Sequence, residues 1–350
     1  MNKKNIPVNV IYRERINKNG IYDKWLASRS PEYFEYRKNW QEFPENGYVS
    51  DFPLNLDIEP TNKCNLKCPF CYRTLAISNH IDNVDWDGIM TLETYKTILS
   101  QIVINGKIMV PAIKLTHRGE PLLNKNLGEF VKLAKDAGAC DVMVNTNGTL
   151  LTEDIAKNLL AAGLDKLLFS FDSPYKKKYE DTRIGANYDK VLDNIKMFVK
   201  LRNSYFNSNT LIRVGMVVTE GVEEREIEDF YNLFCDVGAD VVSYNSVHAE
   251  VDVDEDGYFF YKGERRNVKK ICFADSQLWQ RMTINWNGDA EICCENYKQE
   301  TQLGNIKNKN VHDIWCGATF QKIRDLHSKS EWWKIPQCKK CTLPYMNTEV

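Results

Sequence analysis

Short apolar runs alternate with longer amphipathic segments through the middle of the chain, and this alternation constrains the fold more than any other feature. Strands are predicted at residues 54–58, 110–115, 141–145, 166–172, 211–218 and 239–247. Helices are predicted between them, at 91–104, 124–137, 152–163, 186–202 and in a segment that ends at Gly238. Such alternation with short connections indicates an α/β fold with a parallel sheet and helices outside it. A curled sheet of this kind places its chemistry at the carboxyl ends of its strands.

Two regions depart from the alternation and divide the chain into three parts. Residues 1–51 are polar and aromatic and are predicted to form an N-terminal helical extension. Residues 52–250 carry the strand–helix alternation, and residues 251–350 change to short strands, turns and cysteines. We place the second boundary within the charged stretch 251–270. The predicted fold is therefore a partial (β/α)6 TIM-like barrel followed by a small C-terminal α+β domain.

Composition narrows the classes of function. The 350 residues include 46 basic and 48 acidic side chains, a net charge of −2 that gives no sign of a nucleic-acid partner. No apolar run is long enough for a signal peptide or a membrane span, so we expect a cytoplasmic protein without a membrane partner. The chain has 11 cysteines. In a reducing compartment, metal ligation or catalysis is expected of them rather than disulfide formation.

Three cysteines fall in the loop after the first predicted strand. Cys64, Cys68 and Cys71 have the spacing C-x3-C-x2-C, which lets thiolates surround one soft metal centre such as an iron–sulfur cluster. Three ligands on a four-iron cluster leave one iron open for chemistry. A zinc knuckle, or thiols that pack as small apolar groups, is the alternative interpretation.

With an aromatic residue, Phe70, before its last cysteine, the triplet resembles the signature of the radical S-adenosylmethionine (SAM) superfamily. Further segments resemble that family in the same order: HRGEP at 117–121, NTNGTLL at 145–151 and FSFDSP at 169–174. The resemblance implies that Gly119 and Glu120 meet the methionine amino group of SAM, although Arg118 replaces the first glycine of the usual pattern. The other SAM contacts that it implies are Phe70, Asn145, Asn147, Ser170, Asp172, Arg183 and Val217.

The resemblance also implies the chemistry of the site. SAM would chelate the open iron through its amino and carboxylate groups, and one electron from the reduced cluster would cleave it to methionine and a 5′-deoxyadenosyl radical. The cofactor performs this step, while the protein orients it and excludes water. A flavodoxin- or ferredoxin-type electron donor is the expected partner.

A second set of cysteines lies near the C-terminus. Asn-Gly in NWNGDAE (285–291) predicts a tight hairpin that brings Cys272 and Cys293 together, and Cys338 and Cys341 follow as a C-x2-C pair. A zinc ribbon has the same pattern. The arrangement resembles the SPASM/twitch domain of radical SAM enzymes, which implies an auxiliary cluster with these four ligands and a role in electron transfer. Because no cysteine follows Cys341, we expect the one-cluster version, and hence two 4Fe-4S clusters in all.

The remaining cysteines are assigned more simply. Cys294 is an alternative to Cys293, since a slip of one residue would exchange them. Cys316 is a spare candidate ligand, for which a packed thiol beside Trp315 is the simpler interpretation, and Cys140 and Cys235 are predicted to lie in the core of the barrel wall.

Three hypotheses cover the reaction. The first is an enzyme of carbohydrate biosynthesis: radical dehydrogenation, dehydration or epimerisation of a sugar, sugar nucleotide or cyclitol, based on the single auxiliary cluster and on the short N-terminal extension. The second is maturation of a peptide or protein, with the aromatic N-terminal segment holding the peptide. The third, a non-enzymatic iron–sulfur or zinc module, conflicts with the ordered SAM segments.

Substrate-facing residues are expected at strand ends inside the barrel. This criterion selects His117, Glu220 and His248 as candidate catalytic residues, together with Asn245. Tyr72 and Arg73 follow the cysteine loop, and Arg73 suits an anionic group because it does not deprotonate.

Overall fold

The computed structural model describes residues 13–80, 84–204, 208–219, 221–246, 258–261, 264–267, 277–293 and 301–339. Its strands are β1 (Arg13–Ile16), β2 (Asn55–Ile58), β3 (Val103–Ile104), β4 (Lys107–Ile108), β5 (Ala112–Leu115), β6 (Asp141–Thr146), β7 (Lys166–Ser170), β8 (Leu211–Val218), β9 (Val241–Ser246), β10 (Tyr258–Tyr261), β11 (Glu264–Asn267), β12 (Arg281–Ile284), β13 (Asp289–Glu291) and β14 (Gln302–Asn305). Its α-helices are α1 (Ile21–Ala27), α2 (Pro31–Glu45), α3 (Tyr72–Ser78), α4 (Leu92–Ile102), α5 (Leu127–Asp136), α6 (Glu153–Ala161), α7 (Lys176–Thr182), α8 (Tyr188–Ser204), α9 (Glu224–Val237), α10 (Gln277–Gln280), α11 (Val311–Trp315), α12 (Ala318–Ser328) and α13 (Pro336–Lys339).

One ten-stranded sheet organises these elements, in the order β1-β9-β8-β7-β6-β5-β2-β12-β13-β14. Strands β2, β5, β6, β7, β8 and β9 run parallel, and consecutive members are neighbours. This arrangement confirms the predicted α/β barrel architecture, with its six parallel strands connected by helices.

Local sequence signals explain where the helices start and stop. Thr152 caps α6 by accepting a hydrogen bond from the Ile155 N–H at 3.3 Å, and Thr91 caps α4 through the Thr94 N–H at 3.0 Å. Gly238 ends α9 with φ at 95°, a left-handed conformation that glycine adopts without steric penalty. These signals fix where each helix begins and ends between two consecutive parallel strands.

Side chains alternate between the two faces of each parallel strand. Val142 and Val144 on β6, like Leu167 and Phe169 on β7, are fully buried in the main apolar core beneath the helices. The residues between them face the concave side of the sheet, where many are polar and only half-buried. The concave face is therefore not a filled apolar core.

The C-terminal region adds a strand to the barrel. Strand β12 pairs parallel with β2, from Arg281 opposite Asn55 to Ile284 opposite Ile58. It then turns at Gly288 into β13, as the Asn-Gly hairpin signal predicts. The sheet thus continues from the barrel into the segment that carries Cys293.

The N-terminal segment is not wholly helical, because β1 pairs antiparallel with β9 before α1 and α2 begin. Trp25, Tyr33 and Tyr36 from these two helices are buried in a cluster of their own. Their partners include Ala112 and Val241, the first residues of β5 and β9. The two helices therefore cover the amino-terminal end of the barrel, opposite the strand ends where chemistry is expected.

Within the described ranges, no helix has the length and apolar character that crossing a membrane requires.

Candidate active site

The cysteine loop leaves the carboxyl end of β2 and is fastened to three neighbouring connections. Lys63 O accepts from the Glu120 N–H at 2.8 Å, and the Lys67 N–H donates to Ile184 O at 2.9 Å. Asn65 donates from Nδ2 to Thr149 Oγ1 at 2.7 Å. These three hydrogen bonds hold the conformation of the cysteine loop without a contribution from bound metal.

Burial distinguishes the three thiols. Cys68 is buried, whereas Cys64 and Cys71 are half-buried. Burial raises the pKa of Cys68 to about 12, against the opposing charge of Arg183, and burial also raises the pKa of Cys64. A metal centre deprotonates a coordinating thiol outright, so the thiols would be ligands only in its presence.

The donor set fits an iron–sulfur cluster. Thiolates are the usual ligands of such clusters, and the Leu66 N–H already donates to Cys64 Sγ at 3.5 Å, a type of bond that tunes cluster potential. Among the side chains that the structure describes, no three of His, Cys, Asp or Glu are grouped as ligands of a single metal ion. The fit therefore rests on the type and placement of the thiols.

Gly119 has a steric reason for its identity. A Cβ atom there would lie 2.1 Å from Thr61 O and 2.5 Å from Lys63 O, inside the backbone of the cysteine loop. The next residue, Glu120, is buried, and its carboxylate accepts from Thr146 Oγ1 at 2.6 Å, from the Asn147 N–H at 2.7 Å and from the Leu122 N–H at 3.1 Å. Burial raises the pKa of Glu120. A carboxylate has about four acceptor positions, so Glu120 retains acceptor capacity for an ammonium group.

Asp172 links two of the other predicted SAM contacts. Its Oδ2 accepts from Arg183 Nε at 2.7 Å, and its Oδ1 accepts from the Val217 N–H at 2.9 Å. Among the described residues, the terminal nitrogens of Arg183 make no hydrogen bond. An arginine held at Nε in this way presents its outer edge to a carboxylate.

The remaining predicted SAM contacts divide into two groups. Asn145 and Ser170 are half-buried on the concave face, and Asn145 Oδ1 is buried without a hydrogen-bond partner. Asn147 is occupied within the fold, because its Oδ1 accepts from the Thr149 N–H and hydroxyl and its Nδ2 donates to Asn65. Phe70 is half-buried beside Cys71.

A buried polar cluster lies where the barrel meets the β12–β13 hairpin. Arg118 makes a two-fold ion pair with Glu59, with Nε–Oε1 at 2.8 Å and Nη2–Oε2 at 2.7 Å. The Trp286 N–H also donates to Glu59 Oε2, at 3.2 Å. Glu291 bonds Asn285, and burial raises its pKa to about 8 against the nearby charge of Arg118. The ion pair with Glu59 gives Arg118 a structural role at the position where the related family pattern has glycine.

His117 belongs to the same cluster. Burial lowers its pKa to about 4, against the carboxylate of Glu59, so the imidazole is neutral near pH 7. His117 Nε2, Arg118 Nη1 and Glu291 Oε2 are all buried without a hydrogen-bond partner. Neutral and unpartnered, His117 has the properties that a proton-transfer residue needs.

The other predicted residues have varied positions. Arg73 donates to Asn62 O at 2.6 Å and to Trp86 O at 3.4 Å, so it braces the cysteine loop. Asn245 is half-buried at the end of β9, opposite Val217. Glu220, His248, Cys272, Cys294 and Cys341 lie outside the described residues.

The auxiliary site is described at two of its predicted ligands. Cys293 is buried, and its Sγ accepts from Gln337 Nε2 at 3.3 Å. Because Gln337 precedes Cys338 in α13, the structure brings Cys293 to the segment that carries Cys338. Cys338 Sγ in turn lies 3.5 Å from His327 Nε2.

The other three cysteines differ in exposure. Cys316 is exposed, with its Sγ 3.6 Å from Asp51 O, so the prediction of a packed thiol was wrong. Cys140 and Cys235 are half-buried at the margins of the apolar clusters.

Sequence reasoning missed the charged residues of the concave face. Lys114 and Arg213 lie within β5 and β8, Lys166 is the first residue of β7, and all three line a cavity toward the amino-terminal ends of the strands. The signal was present for Lys114 and Arg213, because each interrupts an apolar strand at a position that alternation assigns to the opposite face.

Comparison with protein families gives two matches. Residues 58–234 match the profile of the radical SAM superfamily. Residues 272–342 match the SPASM profile, described as an iron–sulfur cluster-binding domain.

Curated relatives match part of the chain. GTP 3′,8-cyclase of Peptoclostridium acidaminophilum is 33% identical over 187 residues, and that of Alkaliphilus oremlandii is 31% identical over 185 residues. Each alignment covers 53% of this chain and 53% of the relative. The chain thus spans about half the length of these curated relatives.

Three solved structures share the fold over most of the chain. SuiB of Streptococcus suis, bound to S-adenosylmethionine, has a TM-score of 0.59 at 16% identity and covers 88% of this chain and 77% of its own. The structure of anSMEcpe with bound AdoMet has a TM-score of 0.56 at 19% identity, and the match covers 83% of this chain and 89% of that one. The structure of BtrN in complex with AdoMet and 2-DOIA has a TM-score of 0.50 at 20% identity, and the match covers 82% of this chain and 92% of that one.

Proposed function

Because the chain belongs to the radical SAM superfamily and carries a SPASM iron–sulfur cluster-binding domain, we propose that it is an enzyme that abstracts hydrogen from a small polar substrate. The substrate would be a sugar, sugar nucleotide or cyclitol, and the reaction dehydrogenation, dehydration or epimerisation. The observation that carries this proposal is the polar concave face near the carboxyl ends of the strands, where Asn145, Ser170 and Asn245 are half-buried and Asn145 Oδ1 has no hydrogen-bond partner in the described structure. A polar interior suits a polar substrate better than an apolar one.

The chemistry and contacts of the site residues support an assignment of the residues that would hold the cofactors. Cys64, Cys68 and Cys71 would hold the catalytic 4Fe-4S cluster, and this cluster would supply the electron for reductive cleavage of SAM. Glu120 would accept from the SAM ammonium, and Arg183 would donate to its carboxylate.

The auxiliary site would serve electron transfer. Cys293 and Cys338, with Cys272 and Cys341, would supply four thiolates to a second 4Fe-4S cluster and leave it no open iron. A flavodoxin- or ferredoxin-type protein would provide the electrons.

His117 would be the candidate for proton transfer, because its imidazole is neutral and its Nε2 has no partner in the described structure. Glu220 and His248 remain predicted catalytic residues from their strand-end positions alone.

Relatives are compatible with a small substrate and with a peptide. The curated relatives are named GTP 3′,8-cyclase, and BtrN was solved with 2-DOIA, whereas SuiB has also been solved with the precursor peptide SuiA. Peptide or protein maturation is therefore the alternative. The aromatic N-terminal segment gives it little support, since Trp25, Tyr33 and Tyr36 are buried at the opposite end of the barrel.

The test is deuterium transfer into 5′-deoxyadenosine. Anaerobically reconstituted protein, reduced and supplied with SAM, would be incubated with deuterated candidate sugars, sugar nucleotides, cyclitols and peptides. We expect deuterium in 5′-deoxyadenosine from a member of the first three classes. Transfer from a peptide alone would establish the alternative, and absence of any SAM cleavage would refute both.

A further inference from the structure

Two side chains with nitrogen atoms contact the described thiols of the auxiliary site. Gln337 Nε2 donates to Cys293 Sγ at 3.3 Å, and His327 Nε2 lies 3.5 Å from Cys338 Sγ. The proposed function uses both cysteines as ligands but gives neither Gln337 nor His327 a role. His327 is buried, with 4% of its surface exposed, so little water competes with its contact to the sulfur.

The end of α12 determines where His327 lies. The Ser330 N–H donates to His327 O at 2.8 Å and the Glu331 N–H donates to Leu326 O at 2.7 Å, the pair of hydrogen bonds that defines a Schellman motif. Ser330 has the left-handed conformation that this motif requires, with φ at 55°. The chain therefore turns back directly after His327 and continues through the short 3-10 helix Trp332–Lys334 into α13, where the C-x2-C pair begins.

The chemistry of a cluster ligand determines the direction of the His327 contact. A metal-bound thiolate has lost its proton and can only accept a hydrogen bond. With a cluster in place, His327 would therefore carry its hydrogen on Nε2, the nitrogen that faces Cys338. Gln337 donates through an amide N–H, whose direction is the same with or without metal. Two donors, from α12 and α13, would thus point at two different cluster ligands.

Shared ligation of one metal ion is the alternative explanation of the His327 contact. A separation of 3.5 Å between Nε2 and Sγ also suits two ligands of one zinc ion, whose bonds to nitrogen and sulfur are about 2.0 and 2.3 Å long. However, residues 272–342 match the SPASM iron–sulfur profile, and nowhere in the described part of the chain are three potential ligands grouped around one ion. These observations favour a hydrogen bond to a cluster thiolate.

Hydrogen bonds to the sulfurs are among the factors that set the reduction potential of an iron–sulfur cluster. Reduction adds a negative charge, and an N–H group that points at a thiolate stabilises that charge. The interaction is stronger in buried surroundings, where the local dielectric constant is low. Because His327 is more buried than Gln337, its hydrogen bond should have the larger effect.

We propose that His327 and Gln337 are hydrogen-bond donors to the thiolates of the auxiliary cluster and that these hydrogen bonds raise its reduction potential. The inference rests on the proposed function, because it takes Cys293 and Cys338 as cluster ligands. Both donors act through the thiolates that they contact. Their removal should therefore change the potential of the cluster and leave the number of bound irons unchanged.

Potentiometric titration of the anaerobically reconstituted protein, followed by electron paramagnetic resonance, measures this potential. Only a cluster with an open iron binds SAM, so the signal that SAM leaves unchanged belongs to the auxiliary cluster. In His327→Leu we expect a more negative midpoint potential. At a fixed potential the ratio of reduced to oxidised auxiliary cluster should fall about three- to tenfold, the range for loss of one hydrogen bond. A tenfold change corresponds to about 59 mV for a one-electron couple.

Further variants separate loss of the donor from loss of packing. His327→Gln supplies an amide N–H of similar reach and should restore most of the potential. Gln337→Leu removes the other donor at a half-buried position and should shift the potential in the same direction. His312→Leu is the matched control and should leave the potential unchanged, because the described contacts of His312 are with Asp313 and Phe52. Each variant should retain about eight irons per chain.

An unchanged midpoint potential in either leucine variant, at full iron content, would overturn the proposal. Equal potentials in His327→Gln and His327→Leu would assign the effect to packing and would also overturn it. Stoichiometric zinc, or the strong nitrogen hyperfine coupling of a directly bound histidine, would make His327 a ligand instead. Wild-type protein that binds only four irons would refute the auxiliary cluster itself, so a failure of the proposed function is distinguished from a failure of this inference.

Discussion

Gly119 owes its identity to the backbone that lies against it. Because a Cβ would come within 2.1 Å of Thr61 O, Gly119→Ala should displace the loop that carries Cys64. We expect lower stability and loss of iron from the catalytic site, measured as iron per chain after anaerobic reconstitution. Gly215→Ala is the control for fold, since its Cβ would meet nothing closer than 3.4 Å. Equal iron content in the two variants would contradict the steric argument.

The cysteine triplet should be separable from the auxiliary site. Replacement of Cys64, Cys68 and Cys71 together by alanine removes three thiolates from one loop and none from the C-terminal region. Anaerobic reconstitution should yield about eight irons per chain for the wild type and about four for the variant, since each 4Fe-4S cluster has its own cysteines. The variant should form no 5′-deoxyadenosine. Persistent SAM cleavage would show that the catalytic ligands lie elsewhere.

His117 should make the protein less stable in acid. Its pKa is about 4 in the fold and 6.5 when solvated, so between pH 6.5 and 4 the unfolded chain binds a proton that the folded chain does not. The free energy of unfolding therefore decreases as the pH is lowered through this window, by up to about 3 kcal/mol. Urea unfolding at several pH values should show this slope, and His117→Leu should reduce it. Parallel profiles for the two proteins would mean that His117 is solvated.

The site residues that sequence predicted share one property, which is a position in a recognisable segment. Glu120, Asp172 and Arg183 lie in segments with a family pattern, and the structure places them around the cysteine loop. Lys114 and Arg213 belong to no such segment. That both line a cavity depends on which face of the strand they occupy and on the register of the neighbouring strands, and neither can be read from the local sequence.

Helices α1 and α2 form an integral floor of the barrel. Trp25 is buried against the strand starts, and its indole Nε1 donates to Asp165 O at 3.3 Å. Trp25→Ala should cost about 3–5 kcal/mol in free energy of unfolding, the usual range for a large buried side chain. Phe34→Ala, on the exposed side of α2, should stay within about 0.5 kcal/mol. Chemical denaturation measures both, and a small effect of Trp25→Ala would indicate a detachable arm.

Elements with strong local signals were predicted well, whereas elements that depend on distant partners were not. The barrel helices have threonine caps and glycine ends that can be recognised in isolation. Strand β1 has the sequence RERI, in which all four residues are exposed and three are charged, and it is specified by the edge of β9 that it joins. The hairpin that contains β12 was predicted from Asn-Gly, but its parallel pairing with β2 could not be, because no local feature specifies a partner more than 200 residues away.

Across the whole molecule, the barrel and the segment that carries Cys293 should unfold together. Met282 on β12 is fully buried beside β2, and Met282→Ala should destabilise the protein by about 2–5 kcal/mol. Native-state hydrogen exchange should then show faster exchange of the backbone amides of β2 as well as β12. If only β12 lost protection, the two regions would be independent folding units.

The shared sheet has a consequence for folding during synthesis on the ribosome. Strand β2 is synthesised early, yet one of its edges stays bare until residues 281–284 leave the exit tunnel. Throughout that interval the growing chain exposes a strand edge of the kind that invites mispairing. If iron is delivered before β12 has been translated, the cysteine loop would still follow a strand, β2, that lacks one of its two neighbours.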